Sequence, residues 1–117
     1  MFSYRHAFHA GNHADVLKHI TLLATMRHLM QKEAGITLID THSGAGLYRL
    51  DGDYAKTSAE AAEGFLKLVA TQPKEPYAPA LKDYIDMVAG FNTTNHWSVY
   101  PGSPFIIQSL LNGRDKL

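Results

Sequence analysis

The stretch Gly35–Leu50, GITLIDTHSGAGLYRL, decides how the rest of the chain is read. Ile36, Thr37, Leu38 and Ile39 are apolar or β-branched and run without a break up to Asp40. A loop carrying Gly44 and Gly46 follows at once. A short β-branched run, framed by glycine on one side and a turn on the other, predicts a buried strand. Open α/β sheets build small-molecule sites from a strand that ends on an acid and opens into a glycine loop, because the ligand lies beyond the carboxyl ends of the strands. Glycine lets the backbone approach that ligand, and the acid can accept a hydrogen bond from a hydroxyl or an ammonium group.

Two familiar glycine loops do not fit. A phosphate-cradling P-loop places Lys and Ser or Thr after its last glycine, whereas Gly46 is followed by Leu47 and Tyr48. A dinucleotide fingerprint needs a third glycine where this chain has Arg49. The remaining pattern, Asp-x-x-x-Gly-x-Gly directly after a strand, resembles the first motif of Rossmann-like methyltransferases that use S-adenosylmethionine. A tight strand-to-loop turn with no ligand fits the same residues, and the motif alone does not separate the two.

Working outward, Asn12 is a good helix N-cap and Asp15 an acid in the first turn. The sequence from His13 to Glu33 then reads as a helix, with Val16, Ile20, Leu23, Met26 and Met30 at helical spacing as its buried stripe. Lys32 in the last turn and Gly35 just beyond suit its end. Residues 51–57 read as an irregular connection. A second helix is expected over 58–71, capped by Ser58, with Ala61 or Ala62, Phe65, Leu68 and Val69 on one face. A third is expected over 79–91, with Leu81, Tyr84, Ile85 and Val88 inside. A short strand ending at Tyr100 and a last helix from Pro104, with Ser103 as N-cap, complete the pattern.

The totals narrow the class. The chain has 117 residues, enough for one domain, and its formal charge is zero, so it is not a polybasic nucleic-acid binder as a whole. It has no cysteine, which excludes disulfides and thiolate metal sites. No signal-peptide-like core and no apolar run of membrane-span length is present, so no membrane partner is expected and a cytoplasmic location is the default. Of seven histidines, His6, His9, His13 and His19 crowd into the first nineteen residues. The spacing of His6, His9 and His13 would suit metal ligands on one helix, but Gly11 and Asn12 interrupt that helix, and no metal is expected. His28 and His96 are expected exposed or partly packed, Lys67, Lys74 and Lys82 solvated, and Tyr84, Phe91 and Trp97 in the core.

The crowded N-terminal stretch carries the more specific signal. SYRHAFHAGNHADVLKH (Ser3–His19), together with DTHSGAG (Asp40–Gly46) and YPGSP (Tyr100–Pro104), closely resembles the bacterial family that methylates an adenine N6 of 23S ribosomal RNA, the methyltransferase J family. The resemblance covers essentially the whole chain and is strongest at these three motifs. It implies an α/β, Rossmann-like S-adenosylmethionine-dependent methyltransferase core. Residues 1–50 would supply its arm, first helix, first strand and glycine loop, 51–99 a small helical insertion, and 100–117 the return to the core.

The resemblance further implies cofactor contacts at His19, His42 and Ser103, with Lys18 beside them and Asp40, Gly44 and Gly46 forming the loop. Tyr4 matches a tyrosine implicated in the RNA interaction, and Arg5 beside it suits a phosphate. The family's Asp-Pro-Pro-Tyr motif, which holds the adenine amino group, is absent. No catalytic residue is therefore expected in this chain, which reads as the N-terminal part of a longer enzyme, inactive alone. Unpaired edges of the Ile36–Asp40 strand would favour self-association. Two rivals remain at this level: another nucleotide or small-molecule site on the same sheet, and a non-catalytic fragment that only binds or assembles.

Overall fold

The computed structural model describes residues 9–50, 60–71, 75–93 and 96–117. Helix α1 (His13–Leu29) runs through the middle, and α4 (Pro79–Ala89) and α5 (Ser103–Leu110) pack against it. Between α1 and α4 come strand β1 (Leu47–Arg49) and two short helices, α2 (Glu60–Glu63) and α3 (Phe65–Ala70). Strand β2 (Val99–Pro101) precedes α5. The two strands pair antiparallel, with Tyr48 opposite Tyr100 and both rings buried on one face. The core gathers Leu23 from α1, Leu50, Phe65, Tyr84, Val88 and Tyr100. Phe65 sits at its centre, edge-on to both Tyr84 and Trp97.

The start of α1 agrees with the sequence reading. Asn12 is the N-cap, its side chain accepting the Asp15 amide at 2.8 Å. Its end does not agree. The helix stops at Leu29, so the basic residues of its last turn are Arg27 and His28, and Lys32 lies outside it. The buried stripe also shifts by a fraction of a turn. Asp15, His19, Leu23 and Met26 face inward, with Val16 and Ile20 on its flank and only partly buried. Two polar side chains occupy the deepest positions because they have polar partners there. Asp15 accepts the Gly11 amide at 3.0 Å, and His19 meets Tyr100.

The expected strand Ile36–Asp40 is extended but barely paired. It forms a single parallel bridge, Thr37 to Lys116, flanked by two amide bonds. Ile39 is 86% exposed, so the segment is not buried. A parallel strand becomes buried when neighbours cover both edges and helices cover both faces, and among the described residues only the Lys116 end pairs with it. Of the sheet that does form, β2 lies where the sequence reading placed a short strand ending at Tyr100, and β1 lies just past the glycine loop, where no strand was expected.

The helix expected over 58–71 is two helices broken at Gly64, and the Ser58 cap lies outside the described residues. The break brings the backbone of Gly64 against Gly11 and Asn12, and the Phe65 amide donates to the Gly11 carbonyl at 2.7 Å. Helix α4 starts where expected and ends two residues early, with Tyr84 and Val88 buried and Leu81 and Ile85 partly buried. Asn92 then ties its end to β2. The Asn92 side chain donates to the Val88 and Val99 carbonyls and accepts the Ser98 and Val99 amides. His28 and His96 are exposed, as are Lys67 and Lys82, which pair with Glu63 and Asp86; Lys74 lies outside the described residues.

Candidate functional site

A cleft of about 370 Å³ opens between α1, the glycine loop and the start of α5. Helix α1 contributes Lys18 and His19, the loop His42, Ser43 and Gly44, β1 Tyr48, and the β2–α5 turn Gly102 and Ser103. Ligand pockets commonly span about 300–1,000 Å³ with a few convergent polar groups, and this cleft is of that kind.

Hydrogen bonds and close backbone packing set the walls. Asp40 holds the loop to α5: its Oδ1 accepts the His42 amide at 3.1 Å and its Oδ2 accepts the Ser103 hydroxyl at 2.5 Å. The acid at the strand's end thus grips a hydroxyl of its own chain. This also corrects the role expected of Ser103 in the helix. Gly102 is the N-cap of α5, and Ser103 spends its hydroxyl on Asp40 rather than on a helix amide. Ser103→Ala is expected to cost about 1 kcal/mol of stability, the net worth of one such bond. The midpoint of a urea titration would show it.

Gly44 has φ +61°, and a Cβ there would overlap the Tyr48 hydroxyl. That hydroxyl accepts the Ala45 amide at 3.2 Å, so Tyr48 braces the loop from beneath. Gly46 does not line the cleft. Its carbonyl instead accepts the Gly102 amide at 2.6 Å, joining the glycine loop to the β2–α5 turn.

The floor is polar and buried. His19 Nδ1 lies 2.7 Å from the Tyr100 hydroxyl, which lies 2.7 Å from that of Tyr84. Burial pushes both phenols up from their ordinary value, so both keep their protons. At the rim, the half-exposed Lys18 ammonium lies 3.3 Å from the buried Asp15 carboxylate, with which it pairs. The Thr41 hydroxyl lies 2.8 Å from His42 Nδ1, and the His42 side chain is exposed.

Of the seven residues expected to meet a cofactor, Lys18, His19, His42, Gly44 and Ser103 converge on this cleft, Asp40 stands behind Ser103, and Gly46 is a structural joint. Tyr4 and Arg5, expected on the RNA side, lie outside the described residues, as does His6. His9 donates from Nδ1 to Glu60 at 2.6 Å. Among the described residues no three His, Cys, Asp or Glu side chains are grouped to hold a metal ion. No helix there is long and apolar enough to cross a membrane. Sequence reading missed Tyr48, Tyr100 and Gly102 as parts of the site. The available signal was that all three lie inside quoted stretches, Tyr48 in Gly35–Leu50 and Tyr100 and Gly102 in Tyr100–Pro104, in segments too short to show alternation.

Comparison with known proteins gives the same direction. A family described as Ribosomal RNA large subunit methyltransferase D, RlmJ, matches residues 33–117. The chain is 40% identical to ribosomal RNA large subunit methyltransferase J of Escherichia coli (strain K12), over 100% of this chain and 41% of that protein. Against the protein of the same name from Haemophilus influenzae, identity is 39% over 99% of this chain and 41% of the relative. The crystal structure of protein LPL1258 from Legionella pneumophila superposes with a TM-score of 0.79 at 34% identity, over 92% of this chain and 38% of that one. The chain therefore spans about two-fifths of the length of the curated relatives it matches.

Proposed function

Since the chain belongs to the RlmJ family of ribosomal RNA large subunit methyltransferases, we propose that it forms the N-terminal, cofactor-holding part of an enzyme that transfers a methyl group from S-adenosylmethionine to an adenine N6 of 23S ribosomal RNA. The observation that carries this reading is the convergence of Lys18, His19, His42, Gly44 and Ser103 on one cleft from three separate parts of the chain. In the complete enzyme, a Rossmann-like sheet would extend from the Ile36–Asp40 segment, with residues 51–99 as a helical insertion.

The residues present fit such a ligand. The left-handed Gly44 keeps side-chain bulk out of the cleft, where backbone can approach a nucleoside. Lys18, His19, His42 and Ser103 supply hydrogen-bonding groups. Bound S-adenosylmethionine supplies a methyl carbon already activated by its sulfonium. The task left to this chain is positioning: holding the cofactor still, so that the amine meets the methyl carbon near contact distance, supplies much of the rate. The groups that orient the amine and take its proton are assigned to a downstream Asp-Pro-Pro-Tyr segment.

The direct test is to incubate the intact enzyme with unmodified 23S ribosomal RNA and a labelled methyl donor, then digest the RNA to nucleosides. Label in N6-methyladenosine is expected. Label on another atom or base, or none, would contradict the proposal.

The RNA side gives a second expectation. Tyr4 and Arg5 resemble an aromatic and a phosphate contact, and base–aromatic stacking is worth about 1–3 kcal/mol. Tyr4→Ala in the intact enzyme is expected to lower methylation about tenfold, with cofactor affinity and melting temperature nearly unchanged. Joint loss of melting temperature, cofactor binding and activity would instead make the arm structural.

A further inference from the structure

Asp40 and Ser103 meet at the wall of the cleft, one at the end of the Ile36–Asp40 segment and the other in the first turn of α5. They share a single short hydrogen bond, with the Ser103 hydroxyl 2.5 Å from Asp40 Oδ2. The second carboxylate oxygen, Oδ1, accepts the His42 amide at 3.1 Å. Among the described residues no lysine, arginine or histidine side chain pairs with Asp40, and the Ser103 hydroxyl makes no other hydrogen bond. Ser103 is half-buried and lines the cleft.

The acid decides the direction of this bond. A carboxylate has lone pairs and no proton to give, whereas a serine hydroxyl has one proton and two lone pairs. The Ser103 proton is therefore committed to Asp40. Lone pairs are what the hydroxyl has left for a ligand, so it can accept from one and cannot donate to one. Turning its proton toward a ligand would break a short bond to a charged acceptor, a class about twice as strong as bonds between neutral groups. The carboxylate's charge acts in the same sense, attracting a cation and repelling an anion. Lys18, which also lines the cleft, does not neutralise it, because its ammonium pairs with Asp15 on α1.

We infer that Asp40 fixes the Ser103 hydroxyl as a hydrogen-bond acceptor, so that this wall of the cleft receives a cationic donor, the α-ammonium of an amino-acid-bearing ligand, rather than its carboxylate. Asp40 is then a positioning residue, and Ser103 is the residue that meets the ligand. The ligand side rests on the cofactor reading above, since S-adenosylmethionine carries both groups, whereas the direction of the Asp40–Ser103 bond does not.

The test is calorimetric titration of the intact enzyme and its variants, each first shown by circular dichroism to be folded. The probes are S-adenosylhomocysteine and two analogues of it, one lacking the amino group and one lacking the carboxylate. Wild type is expected to bind the deaminated analogue at least about tenfold more weakly than S-adenosylhomocysteine, the worth of one hydrogen bond to a charged group. In Ser103→Ala that ratio should fall to about threefold or less, while removing the carboxylate should matter as much as in wild type. Asp40→Asn is the sharper variant. Its amide oxygen keeps the His42 amide, its amide nitrogen then donates to Ser103, and the serine proton is freed. The preference for the ammonium should fall there as well.

A wild-type protein indifferent to the ammonium overturns the inference, as does a preference that survives in Ser103→Ala or in Asp40→Asn. If the folded wild type binds none of the three ligands, the cofactor reading fails, and urea titration judges the bond alone. Ser103→Ala should lower the midpoint in the wild-type background and leave it unchanged in an Asp40→Ala background. That pattern supports the bond, whose direction the carboxylate dictates, and equal shifts in the two backgrounds overturn the bond and the inference with it.

Discussion

Gly64→Ala is expected to destabilise the intact protein by about 2–4 kcal/mol, although alanine is the better helix former. A Cβ at this position would overlap the Gly11 carbonyl oxygen and come within 2.6 Å of the Asn12 carbonyl carbon. Both are backbone atoms that cannot swing aside. Overpacking of this kind costs about 1–3 kcal/mol. Moving the two segments apart also breaks the Phe65 amide bond to Gly11, worth about 1 kcal/mol. It disturbs the Asn12 cap of α1 as well, worth about another 1 kcal/mol. The gain in helix propensity over glycine, about 1 kcal/mol, does not offset these losses. For the intact protein, of whose relatives this chain spans about two-fifths, 1 kcal/mol moves Tm by about 2–4 °C, so calorimetry should show a drop of about 5–15 °C. A variant melting within about 3 °C of wild type would mean that Gly64 merely ends a helix.

The local features were legible in the sequence, and the paired ones were not. Asn12, Asp15 and the helical spacing marked α1, and the spacing of Leu81, Tyr84, Ile85 and Val88 marked α4, because caps and periodicity act within a few residues. What α1 buries was misread. Asp15 and His19 lie deeper than Val16 or Ile20 because Gly11 and Tyr100 satisfy them, and Tyr100 lies 81 residues away from His19 in the chain. Strand β1 has three residues, too few to show alternation, and its partner lies about fifty residues on. The Gly64 break is fixed by Gly11 and Asn12, which no pattern local to residues 60–71 can reveal. The strand expected from Ile36 to Asp40 kept its extended shape but not its burial, since burial depends on neighbours rather than on the run itself.

The site shows the same division. The resemblance picked out the cleft-facing Lys18, His19, His42 and Ser103. The residues that hold them in place, Tyr48 under the loop and Tyr100 under His19, are known only from packing. Asp40 fits both readings: an acid at a strand's end, with its two oxygens already engaged by the loop and by α5.

Gly44→Val should have the largest effect on ligand binding. The position combines φ +61° with a wall, the Tyr48 hydroxyl, where a Cβ would go. A β-branched residue is strained in the left-handed region, and relieving that strain must move the loop, Tyr48 or both. Either movement changes the width of the cleft at the point where backbone would meet the ligand. A loss of about 3 kcal/mol, within the range for strained backbone positions, corresponds to an affinity loss of about a hundredfold. His42→Ala removes one exposed hydrogen-bonding group and should cost about tenfold.

The most direct measurement is calorimetric titration of S-adenosylmethionine into the intact wild-type enzyme and these two variants, each first shown by circular dichroism to be folded. The account predicts saturable one-to-one binding in wild type, about tenfold weaker binding in His42→Ala, and none detectable in Gly44→Val. Absence of binding to the folded wild-type protein, or unchanged affinity in both variants, would contradict it.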